Sequence, residues 1–184
     1  AIARAAKHAG ANVTLVAGPV SLETPRGVDR IDVRSAVQMN DAVQHVATQA
    51  SIFIAAAAVA DWRPATAADQ KIKKDGSGDT PALTFVENPD ILAAVAKSAR
   101  AQKGDLFCVG FAAESHDLLA HATAKRARKG VPLLVGNIGP STFGQDDNAL
   151  LLVDAKGAKE LPRDTKIKLA HDLVHEIAAR ISSS

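Results

Sequence analysis

Cysteine is nearly missing: Cys108 stands alone among 184 residues. An intrachain disulfide is therefore excluded, and nothing points to an oxidising compartment. Long apolar runs are missing too. The longest, such as Ile52 to Ala60, stop far short of the roughly 18–20 residues that cross a bilayer, so no membrane partner is expected. Nor is there a large charge imbalance. Lys and Arg number 22 against 20 Asp and Glu, a formal charge of +2, too small for wholesale capture of nucleic acid. Local Lys and Arg clusters could still hold a phosphorylated small molecule. Internal repeats, low-complexity stretches, a Gly-x-x-x-x-Gly-Lys-Ser/Thr loop and a Gly-x-Gly-x-x-Gly fingerprint are all lacking. The chain opens on Ala1 without an initiator Met, a signal-peptide pattern or a cap for its first helix, so it reads as a piece of something longer in a cytoplasmic setting.

What is present is ordinary for a folded domain: 47% hydrophobic and 23% charged residues, in a length suited to one core without a structural metal. Ala1–Ala9 is predicted helical, with Gly10 as its stop, and Asn12–Ala17 is a β-branched strand. Arg30–Val33 is a short second strand, Ala36–Ala50 a helix, and Ile52–Ala58 the most apolar strand. Lys71–Asp75 and Ala82–Glu87 flank Gly76-Ser77-Gly78, which has the composition of an antiparallel arm over about residues 70–87. Asn88 is the expected cap of a helix from Pro89 to about Arg100. Leu106–Gly110 is a strand, Ser115–Lys129 a helix, Pro132–Val135 and Ala149–Val153 strands, and Thr165–Ile181 an amphipathic helix. Strands alternating with helices predict a doubly wound α/β fold with a mostly parallel, Rossmann-like sheet. Ligands in such folds bind beyond the carboxyl ends of the strands, so the residues after Ala58, Gly110 and Val135 are the first to search.

Asp61 lies just past the apolar strand, in Ala57-Ala58-Val59-Ala60-Asp61-Trp62-Arg63. It could bind a ribose hydroxyl, a magnesium ion or a base amino group, or simply cap a turn. Small residues before it let a ligand approach the backbone. Lys71 and Lys73 point the same way on the arm and could reach one polyphosphate, although edge strands also carry lysines, as Lys74 adds here, to block aggregation. Lys125 and Lys129 share one helix face with Arg126 and Arg128 beside them, which suits a triphosphate or equally a solvated helix end. Phe111 at a strand end is a core residue unless it borders a ligand. His171 and His175 stand four apart, but Asp172 replaces the glutamate of a zinc-protease helix and no third ligand is apparent. Cys108, in an apolar strand, reads as an inert buried thiol.

Six segments taken together resemble one family: Gly10-Ala11-Asn12-Val13-Thr14-Leu15-Val16-Ala17-Gly18-Pro19-Val20-Ser21-Leu22, Ala57–Arg63, Lys71-Ile72-Lys73-Lys74, Asn88-Pro89-Asp90-Ile91-Leu92, Val109-Gly110-Phe111-Ala112-Ala113-Glu114 and Asp147-Asn148-Ala149. Their order is that of bacterial phosphopantothenoylcysteine synthetases, and the likeness covers nearly the whole chain. The resemblance implies a CTP-dependent ligation of 4'-phosphopantothenate to L-cysteine, helped by Mg2+ on the phosphates. It further implies a homodimer, and a separate decarboxylase half that carries FMN. Matched by motif, the CTP contacts would be Ala55, Ala56, Ala57, Asp61, Lys71, Pro89, Asp90, Ile91, Leu92, Phe111, Lys125 and Lys129, with Lys71 on a mobile arm that closes over the site.

Two departures qualify the likeness. The family places a glycine-rich loop and an Asn-His-Ser-Ser-Gly-like stretch before the segment matching Ala1. Without it, residues 1–184 are expected to bind nucleotide more credibly than they turn it over, because losing such a polar stabiliser costs about a hundredfold or more in rate. Gly136-Asn137-Ile138 stands where the family usually has Ala-Asn-Asp. Two rival readings are a truncated NAD(P)- or FMN-binding oxidoreductase and a noncatalytic binding module. The first is disfavoured because Ala17-Gly18-Pro19 ends the strand where a ribose-binding acid is expected. The second predicts that the lysine clusters tolerate alanine.

Overall fold

The computed structural model describes residues 1–66, 82–114, 117–138 and 145–182. In chain order these form α1 (Ile2–His8), β1 (Thr14–Ala17), β2 (Asp29–Asp32), α2 (Ala36–Ala47), β3 (Ile52–Ala55), β4 (Trp62–Pro64), β5 (Phe85–Glu87) and α3 (Ile91–Ala96). There follow α4 (Ala99–Gln102), β6 (Phe107–Glu114), α5 (Leu118–Lys129), β7 (Leu133–Ile138), β8 (Asp147–Asp154), β9 (Gly157–Thr165) and α6 (Lys166–Ser182). The main sheet has the order β3-β6-β7-β8-β9. β3, β6 and β7 are parallel, and β8 and β9 extend that sheet antiparallel. β1 and β2 form a separate parallel pair, and β4 and β5 a short antiparallel one.

Side-chain alternation along the central strands sorts the core into two layers, because successive residues of a strand face opposite sides. Cys108, Ala112, Leu134, Leu151 and Val153 face α2, α3 and α5, and cluster with Val43, Ile91, Val95 and Ala122. Val109, Leu133, Val135, Leu150 and Leu152 face the other way, against Leu169, Leu173 and Ile177 of α6, with Ile2 of α1 packed on the same cluster. Helices on both faces make this a doubly wound α/β domain with an antiparallel margin.

Two glycines let helices sit close on the sheet. A β-carbon at Gly110 would lie 2.6 Å from Leu92 Cδ2 and 2.8 Å from Leu134 Cδ1, and one at Gly136 would lie 2.9 Å from Leu118 Cδ1. These positions therefore seat the start of α3 on β6 and the start of α5 on β7.

Several expectations need correcting. β9 was not anticipated: Gly157, Lys159, Glu160, Pro162 and Asp164 give it no apolar alternation, and only Leu161 is buried. It lies at the sheet edge, where proline is tolerated. β3 ends at Ala55, three residues early, whereas β6 and β7 continue beyond Gly110 and Val135 to Glu114 and Ile138. The stretch Pro89–Arg100 is two short helices, since Ser98 accepts from Ala101 N at 3.3 Å and opens a new one. Asn88 is not the cap of α3; Asp90 is, accepting from Ala93 N at 3.1 Å. The arm pairs at its base, Trp62–Pro64 against Phe85–Glu87. Lys71, Lys73, Lys74 and the turn Gly76–Gly78 lie outside the described residues.

Candidate functional site

The strand register brings the first group of candidate residues together. Ala55, the last residue of β3, is paired with Gly110 of β6, so Ala56 and Ala57 leave the sheet beside Phe111. Leu92 packs over Gly110. The chain from Ala56 to Asp61 is largely exposed, as backbone that is to meet a ligand must be.

Asn88 ties this loop to the next. Its main-chain N–H donates to Asp61 O at 2.8 Å, and its Nδ2 donates to Ala60 O at 2.9 Å. Its Oδ1 accepts from Arg63 Nη1 at 3.2 Å, and the same guanidinium nitrogen donates to Glu87 O at 2.5 Å. Ala55–Asp61 and Pro89–Leu92, far apart in sequence, thus become one surface. Sequence reasoning missed this because it assigned Asn88 to the helix. The signal was Pro89: the residue before a proline is pushed out of the helical region, which leaves Asn88 free to serve the loop.

Asp90 and Lys129 form an ion pair that joins the start of α3 to the last turn of α5. Burial pushes the Asp90 carboxyl up, but the hydrogen bonds from Lys129 and Ala93 N and the charges of Lys129 and Arg128 outweigh it, and the net shift is downward. Lys129 is the last residue of α5, the helix that joins β6 to β7. It reaches the group through Asp90. Lys125 lies one turn earlier on α5, half-buried. Phe111 belongs to β6 itself and packs on the cluster facing α6, so its ring lies on the opposite sheet face from α3 and α5.

The remaining candidates resolve into structural roles. Cys108 is 1% exposed, and burial pushes its thiol up to about 11, the state of an inert sulfur. His171 stacks on His8 with ring centroids 5.4 Å apart, and Asp172 pairs with Lys168 at 2.8 Å. Among the described residues no group of three or more His, Cys, Asp or Glu side chains could hold a metal ion. Asp147-Asn148-Ala149 builds a bulge between β8 and β9: Asn148 Oδ1 accepts from Ala149 N at 2.8 Å, and Arg163 clasps Asp147 at 2.7 and 2.8 Å.

A doubly wound α/β domain whose polar groups gather where β3 leaves the sheet is the class defined by this geometry. The family model described as the DNA/pantothenate metabolism flavoprotein C-terminal domain matches residues 1–181, and the chain belongs to that family. It is 47% identical over 180 residues to the coenzyme A biosynthesis bifunctional protein CoaBC of Vibrio cholerae, covering 96% of this chain and 44% of that protein. The chain thus spans under half the length of this relative. Its structure is similar to the crystal structure of the C-terminal domain of a coenzyme A biosynthesis bifunctional protein CoaBC, with TM-score 0.80, 27% identity, and coverage of 100% of this chain and 81% of that one. A Cab2 mutant in complex with phosphopantothenate-cysteine shares the fold at TM-score 0.66 and 18% identity, over 85% of this chain and 54% of that one.

Proposed function

We propose that residues 1–184 form the ligase domain that condenses 4'-phosphopantothenate with L-cysteine at the expense of CTP. Family membership and the name of the relative support the pathway, and the name of the Cab2 complex supports the substrate class. The observation that carries the reading is the convergence of Ala55–Asp61, Pro89–Leu92 and the Gly110 backbone at one end of β3.

In this reading a carboxylate oxygen of 4'-phosphopantothenate attacks the α-phosphorus of CTP. The bond to the bridging oxygen breaks, pyrophosphate leaves, and an acyl-cytidylate remains. The cysteine amine then attacks the acyl carbon and expels CMP, losing a proton as the amide forms. No enzyme nucleophile is needed, so the protein's work is to position reactants and stabilise charge. Lys71, Lys125 and Lys129 would meet the triphosphate. Mg2+ would lower the negative charge of the phosphates. Asp61, exposed at the end of the Ala55–Asp61 segment, would meet the ribose or the base of the nucleotide. FMN belongs to a decarboxylase half, not to these residues. A homodimer in the cytoplasm completes the proposal. No described helix is long and apolar enough to cross a membrane.

Thermal denaturation tests it. CTP with Mg2+ is expected to raise the melting temperature more than ATP with Mg2+, and Lys71→Ala to lose most of that rise. Equal responses to both nucleotides would remove the cytidine specificity.

A further inference from the structure

We infer that Asn88 is a positioning residue that holds the Ala56–Asp61 loop in the shape that receives the cytidine end of the nucleotide, an inference that rests on the proposed ligase reading. Its amide makes two unlike bonds at once. Nδ2 donates to Ala60 O at 2.9 Å, and Oδ1 accepts from Arg63 Nη1 at 3.2 Å. A guanidinium can only donate and a carbonyl can only accept, so these two partners admit one orientation of the amide. Arg63 is itself anchored on Glu87 O, and Asn88 N on Asp61 O. The clamp therefore closes between the two strands of the arm's base and the two loops that flank it.

The chemistry offers a near-isosteric break. Asn88→Asp keeps an oxygen for Arg63 and replaces the donor to Ala60 with a second acceptor, which repels that carbonyl. Asn88→Ala removes both side-chain bonds and leaves the main-chain bond to Asp61. Calorimetric titration of the 184-residue chain with CTP, CMP and inorganic tripolyphosphate separates the two ends of the ligand. Asn88→Asp is expected to weaken CTP and CMP about tenfold, the loss of one net hydrogen bond, and to leave tripolyphosphate unchanged. Asn88→Ala should act in the same direction. Hydrogen–deuterium exchange of the unliganded protein supplies a readout free of nucleotide: exchange in the Ala56–Arg63 segment should quicken in Asn88→Asp while β8 stays protected. Unchanged exchange in that segment overturns the inference, and so does an equal loss for all three ligands. Failure of the wild-type chain to bind CTP or CMP would instead sink the ligase reading, with the exchange experiment still deciding the clamp.

Discussion

Asp90 performs two tasks with one carboxylate, and substitution can separate them. It caps α3 through Ala93 N and pairs with Lys129. Asparagine caps a helix about as well as aspartate, whereas alanine does not. Asp90→Ala is therefore expected to cost about 1 kcal/mol in urea unfolding at neutral pH, and Asp90→Asn less. Acid should narrow this ranking. The carboxyl is depressed in the folded state, so its stabilising contribution is complete above the ordinary aspartate value near 3.9. It is lost as pH falls through the lower folded value. The advantage of wild type over Asp90→Asn should thus shrink as pH falls below about 4, and a constant gap in urea midpoint would remove the pairing as its source.

At the scale of elements, two devices hold the layers in place. Gly110 admits Leu92, so α3 lies close on β6. Gly110→Ala would drive a methyl group into Leu92 and Leu134 and is expected to cost about 1–3 kcal/mol, the usual range for overpacking; an unchanged melting temperature would show that α3 shifts freely. The second device is a charge network where α6 meets the turn between β8 and β9. Arg180 Nε donates to Asp154 at 3.0 Å and Arg180 Nη1 to Glu176 at 2.8 Å, while Lys159 reaches Glu176 at 2.5 Å. Arg180→Met keeps the apolar stem and takes one partner from each carboxylate, leaving Glu176 to Lys159 and Asp154 to Lys156 N, with an expected loss of about 1 kcal/mol. Chemical denaturation in low and high salt checks this, since a partly exposed network weakens under screening.

For the whole molecule, the described base of the arm carries open apolar surface. Trp62, Pro64 and Phe85 share one face of the β4–β5 pair by register, and Trp62 and Phe85 are 56% and 52% exposed. Aromatic residues are enriched in protein–protein contacts, and exposed apolar patches mark such sites. If the proposed homodimer forms through this face, Trp62→Glu with Phe85→Glu should yield a monomer by sedimentation, and a persistent dimer would place the contact elsewhere.

Much of this was legible in residue order. The near absence of cysteine and of long apolar runs, the rhythm of Val- and Leu-rich strands between helices, and six motifs in series point to the class and the family before any coordinates. The pairing of Ala55 with Gly110, the clamp at Asn88, the meeting of Asp90 with Lys129 and the existence of β9 were not legible. Periodicity reports which side of an element is apolar, and motif order reports ancestry. Neither reports which distant backbone groups must satisfy one another's hydrogen bonds once water is excluded. That choice belongs to the packed sheet, where Asn88 joins Ala60 and Asp61 across the base of the arm.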